Sequence, residues 1–410
     1  MPQRKNVTVD DKELAGSTFA EVIRATRDLF PEAAYRPQEG PHGIGIASGR
    51  HLLTVNSDGT GTKPELVERG FLATGDYSYF ERPAADVVAM VADDAARDGH
   101  FTVGIVNCVD VNSAHDGRFV AALARGMERA CRTGGFPLLN GETAELGYRT
   151  PGPGASRLNW NAVAVALINR DKEFQPSNLR PGQIIVALRD TSIRSNGLSR
   201  ARRILEHAYL SQQHATRQDW LVSTLSSVVE RPARHQVVSE LLSRQPEMAE
   251  QLIIPWHERY GELVELLSRP STIYSSLIYA AQGGVDGPVQ IPLVACVHVT
   301  GGGIPLKCSR LLRKTGLGAM IDSVFPDPEG VAELLALANQ FPLGSRPLVD
   351  DREACEQWNR GIGFLCVVPD NSVARDLIAL ADRHNISAAI AGRILDDPAI
   401  HFRGHTWRWE

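Results

Sequence analysis

Across residues 51–55, 101–106 and 161–168, apolar residues alternate with polar ones or run in blocks of strand length, as half-buried and buried strands do. Residues 85–96 and 118–132 instead repeat apolar positions every three or four residues, which predicts two amphipathic helices. The Pro/Gly cluster at 150–154 predicts a surface loop, and the polar stretch 171–176 a domain boundary. Beyond it the patterns predict strands at 183–188, 293–299 and 363–368, with helices at 198–209, 329–339 and 372–384. Residues 211–267, polar and poor in turn signals, predict a helical insertion. The expected fold is α/β (α+β) in two domains, 1–170 and 171–410, each long enough to bury a core.

The first predicted strand runs into Asn56-Ser57-Asp58-Gly59-Thr60-Gly61-Thr62-Lys63. Asp58 can hold a divalent cation through carboxylate oxygen, and Lys63 can offset phosphate charge. Gly59 and Gly61 let backbone approach a phosphate with no Cβ between. The spacing is not that of a P-loop, and Asp-Gly alone also reads as a hairpin turn. Two further segments carry related chemistry. Asn140-Gly141-Glu142-Thr143-Ala144-Glu145 adds two carboxylates after an apolar run, and Thr300-Gly301-Gly302-Gly303 follows the strand-like 293–297. All three are expected at strand-to-loop transitions.

Together these segments resemble the aminoimidazole ribonucleotide synthetase (phosphoribosylformylglycinamidine cyclo-ligase) family of a wider ATP-dependent superfamily. That family carries Asp-Gly-x-Gly-Thr-Lys, Gly-Glu-Thr-Ala-Glu, Ser-Asn-Gly and Thr-Gly-Gly-Gly in order. The chain matches them at 58–63, 141–145, 195–197 and 300–303. Residues 85–94 resemble the family's helix ending in Asn-Asp, and 358–364 its late Asn-x-Gly-Ile-Gly.

The resemblance implies an N-terminal ATP-binding domain whose sheet pairs across a homodimer, and a C-terminal α/β domain closing over substrate. It implies ring closure of formylglycinamidine ribonucleotide with ATP. The γ-phosphoryl group makes the amide oxygen a leaving group as an iminophosphate, which the substrate's own nitrogen then displaces. Positioning and charge neutralisation suffice for such chemistry, with no nucleophilic triad. Asp58, Asp94 and Glu142 are the expected Mg²⁺ ligands, with Asp93 the rival of Asp94. Gly59, Gly61, Thr62 and Lys63 are expected on the nucleotide, and Gly301, Gly302 and Gly303 as a backbone cradle for a phosphate. Arg194, Ser195 and Asn196 are expected at the substrate. Whether K⁺ is also required is open.

Arg194 stands where the family has His. A guanidinium stays charged and cannot relay a proton, so Arg194 is either an electrostatic clamp or the mark of a changed substrate. Other members of the superfamily fit less well. Selenophosphate synthetase wants an early Cys, and none precedes Cys108. Thiamine-monophosphate kinase lacks the segment matched at 359–363, and intact Asp58, Lys63 and Glu142 argue against a non-catalytic subunit. His115-Asp116 are neighbours in a predicted loop and make a poor acid/base pair.

Composition agrees. A net charge of −5 does not favour nucleic acid as a partner. No apolar run of membrane-spanning length occurs, and 1–6 lacks a signal-peptide core. Six scattered cysteines without Cys-x-x-Cys, and twelve histidines without zinc spacing, predict reduced thiols in a cytoplasm. The expected ligands are ATP and a phosphorylated small molecule.

Overall fold

The computed structural model describes residues 35–37, 44–48, 50–114, 116–150, 152, 156–216, 246–342 and 344–409. In the N-terminal half, strands β1 (Tyr35–Pro37), β2 (Ile44–Ser48) and β3 (His51–Gly59) are followed by helices α1 (Lys63–Thr74) and α2 (Pro83–Arg97). Strand β4 (Phe101–Val111), helix α3 (Gly117–Gly134) and strands β5 (Leu138–Glu145) and β6 (Leu158–Asn169) complete it. The six strands form one sheet in the order β1-β2-β3-β6-β4-β5, in which only β4 and β5 run parallel. Helix α2 lies along β3, β6 and β4 and packs beside α3, whose N-cap Asp116 accepts from Arg118 N.

The opposite face of this sheet is open, with Cys108, Asn159 and Asn161 exposed and Val55 half in solvent. Strand β5 lies at the edge with Leu138 and Leu139 exposed.

The C-terminal half contains β7 (Ile184–Arg189), α4 (Leu198–Thr216), α5 (Pro246–Leu267), α6 (Ser275–Gln282), β8 (Ala295–His298) and α7 (Gly303–Leu312). It continues through β9 (Gly318–Ile321), α8 (Glu329–Gln340), α9 (Asp351–Gln357), β10 (Ile362–Val368) and α10 (Asn371–Arg383). Strands β11 (Ala388–Leu395), β12 (Ala399–Phe402) and β13 (His405–Arg408) end it. The seven strands are ordered β13-β12-β9-β11-β7-β10-β8, antiparallel except for β12 with β9. Every residue of β10 is buried, because α6 and α10 cover one face and α7 the other. Helices α4, α5 and α8 pack with Leu66 of α1 and with Trp358 in a third apolar cluster.

Helix α2 joins the halves. It is buried almost all round, since it lies on the first sheet and also against β8 and α6 of the second. A helix between two layers needs apolar residues on both sides. This one has them, and it also buries Asp86, Asp93 and Asp94 on a single stripe, at the seven- and eight-residue spacing of two helical turns.

Two expectations change. Asp58 and Gly59 end β3 and Gly61-Thr62 form the turn after it, as expected, whereas 141–145 lie within β5 and not in a loop after a strand. Lys63 opens a helix, α1, that the pattern had not indicated. The expected insertion is helical at both ends, in α4 and α5, while residues 217–245 lie outside the described set. So do His115 and most of the 150–154 loop. The six cysteines are free thiols, and among the described residues no helix is long and apolar enough to cross a membrane.

Candidate functional site

Three turns from distant parts of the chain, those that follow β3, β7 and β8, converge. Gly61, in a left-handed conformation, faces the backbone oxygen of Ser195, and Thr62 Oγ1 lies 3.3 Å from Ser199 Oγ. Asn196 Oδ1 in turn faces the Cα hydrogens of Gly301, where a Cβ would lie 3.3 Å away. The matched 358–364 segment supports this assembly from behind. Asn359 Nδ2 donates to Ser192 O at 2.8 Å, and Trp358 Nε1 to Gly197 O at 3.3 Å.

The glycines divide by role. Gly303, at φ 62°, starts α7 so close to α9 that a Cβ would lie 2.0 Å from Cys355 O. Its glycine is required by packing. Gly301 is exposed and is the one open to a ligand among the three. Ser195 Oγ is buried against the same turns with no hydrogen-bond partner among the described residues, an unmet donor of the kind a ligand oxygen satisfies.

The expected metal set is corrected by strand parity. A Cβ on Gly59 would strike Asn161 Oδ1, so Gly59 points to the open face and Asp58, its neighbour, to the helix side. Asn161 pairs with Cys108 and Cys108 with Glu142, and Cys108 is exposed, so Glu142 stands on the open face. Three strand spacings, roughly 14 Å, also separate β3 from β5. Within one chain Asp58 and Glu142 cannot share an ion whose ligands sit about 2 Å away. Among the described residues no three His, Cys, Asp or Glu side chains form a metal cluster. Asp58 and Asp94 remain on one side, both within electrostatic reach of Lys307. Two carboxylates beside exposed glycine backbone fit a magnesium nucleotide, which keeps several waters and takes few protein ligands.

Lys63 is likewise corrected. It is fully buried, donating from Nζ to Asp86 Oδ1 at 2.7 Å and to Arg269 O at 2.5 Å. Burial lowers its pKa against the pull of Asp86. In this arrangement its charge serves the carboxylate and not a phosphate. Lys307 is the better placed cation. It lies in the first turns of α7, half-buried, and forms no hydrogen bond or ion pair among the described residues. Burial pulls its pKa down to about 8, with Asp94 opposing.

Arg194 is 1% exposed and does not face a ligand as expected. Nη1 donates to Asp190 Oδ2 at 2.6 Å and Thr272 O at 3.0 Å. Nη2 reaches Asp93 Oδ2 at 3.2 Å and His298 Nε2 at 2.5 Å. Asp93 also accepts from Tyr274 N and Ser275 N, while Asp94 Oδ1 pairs with Arg97 Nη1 at 3.4 Å. His298 Nδ1 lies 2.6 Å from Asp94 Oδ1. Burial lowers the histidine pKa to about 3 and raises that of Asp93 to about 7.

His298, Asp190, Asp86 and Lys307 were missed in the sequence. The signals were present: a histidine two residues before Thr300, an Asp-x-x-x-Arg spacing at 190–194, and the acid stripe of α2.

Two family models match the chain: the N-terminal domain of AIR synthase related protein over residues 45–165, and the C-terminal domain over 237–405. Phosphoribosylformylglycinamidine cyclo-ligase of Parasynechococcus marenigrum is 26% identical over 374 residues, covering 89% of each chain. The enzyme of that name from Methanocaldococcus jannaschii is 24% identical over 395 residues, 95% of this chain and 93% of its own. Among solved structures, the E. coli hydrogenase maturation protein HypE aligns with a TM-score of 0.49 at 15% identity, covering 87% of this chain and 85% of its own. T. maritima PurL complexed with FGAR aligns at 0.47 and 16% identity, covering 93% of this chain and 48% of that one. With both of its domains matched, in order, the chain belongs to the AIR synthase related protein family.

Proposed function

We propose that the protein closes the imidazole ring of formylglycinamidine ribonucleotide, converting ATP to ADP and phosphate. The observation that carries this reading is the convergence of Gly61-Thr62, Ser195-Asn196 and Gly301 beside Asp58 and Asp94. The full-length similarity to enzymes named cyclo-ligases supports the substrate. ATP supplies the phosphoryl group that turns the formyl amide oxygen into a leaving group, after which the substrate's amidine nitrogen attacks that carbon and phosphate departs. Asp58 and Asp94 hold the magnesium that accompanies the triphosphate. Ser195 and Asn196 orient the substrate, Gly301 presents backbone to a phosphate, and Lys307 faces the anionic charge.

Glu142, on the open face, reaches a nucleotide only through a second copy, which supports a homodimer as the working form. We place the protein in the cytoplasm, with K⁺ as an optional activator. A second reading, phosphoryl transfer to another substrate of the same superfamily, is favoured by one observation: Arg194 is locked in a buried network where the family has His.

Phosphate release from Mg·ATP should rise several-fold on adding formylglycinamidine ribonucleotide, and Asp58→Asn should weaken Mg·ATP binding by roughly 1–3 kcal/mol. ATP turnover indifferent to that substrate would shift the reading to the second one.

A further inference from the structure

Arg194 holds together groups from three separate elements. Its guanidinium meets Asp93 on α2, Asp190 after β7 and His298 at the end of β8, all buried. The hydrogen-bond directions follow from chemistry alone. A guanidinium has donors and no acceptor, so at 2.5 Å from Arg194 Nη2 the His298 Nε2 must be the unprotonated, accepting nitrogen. The ring hydrogen then sits on Nδ1, aimed at Asp94 Oδ1 2.6 Å away. Without the arginine, Nε2 is free to take the proton. Nδ1 would then face a carboxylate with a lone pair, and that contact would become repulsive.

We propose that Arg194 is a positioning residue: it fixes His298 as the Nδ1–H tautomer and thereby fixes the Asp94 carboxylate beside the ligand-binding turns. This rests on the reading of Asp94 as a magnesium–nucleotide residue given above. Two details agree. Arg194 adopts φ 61°, a left-handed backbone that non-glycine residues take at a cost, and Ser192 Oγ accepts from its amide at 3.1 Å to hold it there. Its side chain has no exposed surface to offer a ligand, and only Nε lacks a partner among its nitrogens. Lysine cannot reproduce the arrangement, since one ammonium lacks the planar fork that meets Asp190, Asp93 and His298 together.

The test uses the full-length protein. Nitrogen-15 spectra of the histidine rings, with the His298 signals identified by their loss in His298→Gln, report the tautomer in the wild type without any arginine variant having to fold. The expected result is a neutral ring protonated on Nδ1. A ring protonated on Nε2, or on both nitrogens, overturns the proposal. In Arg194→Lys, which keeps the buried positive charge, the single tautomer should be lost. Mg·ATP affinity should fall roughly tenfold or more at temperatures where circular dichroism shows the variant folded, as losses of groups that orient metal ligands do. Affinity within twofold of wild type in a folded Arg194→Lys also overturns it. A wild type that has the Nδ1–H tautomer but does not form aminoimidazole ribonucleotide would refute the proposed reaction and leave this assignment standing.

Discussion

Lys63 does not take the phosphate-facing place that its position in the chain implies. Lys63 completes a glycine-rich motif, yet the start of α1 turns it inward to Asp86, where Ser271 also donates to the carboxylate. Removing one partner of a buried ion pair leaves the other charge uncompensated, and such changes cost about 3–5 kcal/mol. Lys63→Met should therefore lower unfolding stability by that order in urea, and the double variant Lys63→Met/Asp86→Leu should recover much of the loss. A Lys63→Met protein of native stability but raised KM for ATP would return Lys63 to the phosphate. Lys307→Met should show the converse, a raised KM with little loss of stability. Residue types in order made the carboxylates legible. Side-chain direction was not legible, because Asp58 and Glu142 are assigned to opposite faces by strand parity and by a sheet order that places β6 between β3 and β4.

At the scale of elements, α1 and α2 fasten the site to its supports. Glu68 of α1 is buried and accepts from Leu158 N at the start of β6 at 2.8 Å. Burial raises its pKa well above the ordinary value, with the Leu158 amide opposing. The folded state thus binds this proton more tightly than the unfolded one. Its stabilising effect is complete below pH about 4.5 and is lost as pH rises through the higher folded pKa. Melting temperature followed over that range should fall with pH more steeply in the wild type than in Glu68→Gln. Equal slopes would remove Glu68 as the cause. The strands at the cores of both sheets were readable because alternation and apolar runs are local. Residues 140–145 of edge strand β5 were read as the loop after an apolar run because the strand is exposed along nearly its whole length and lacks a buried face to impose alternation. Asp93 and Asp94 of α2 made sense only once their partners Arg194 and His298, 100 residues and more away, were in place.

For the molecule as a whole, the open face of the first sheet is the unfinished surface. Val55 is 50% exposed there and Leu139 54%, beside an edge strand with no further partner among the described residues, an arrangement that single chains usually cover. The wild type should scatter light as a dimer at micromolar concentration, and Val55→Arg should shift it toward monomer. A monomeric wild type would contradict the dimer and remove the route by which Glu142 reaches a nucleotide. The change of pattern near 171–176 lies between the last strand of the first sheet, which ends at Asn169, and the first strand of the second, which starts at Ile184. The layering of the halves on α2 was not legible, since it depends on long-range burial of charge.

The central claim is that the converged turns close an imidazole ring at the expense of ATP. Its most direct measurement is product analysis of the purified protein with formylglycinamidine ribonucleotide, ATP, Mg²⁺ and K⁺. The account predicts aminoimidazole ribonucleotide and ADP in equal amounts, both abolished or strongly reduced by Asp58→Asn. ADP formed without aminoimidazole ribonucleotide, or neither product formed, would contradict it.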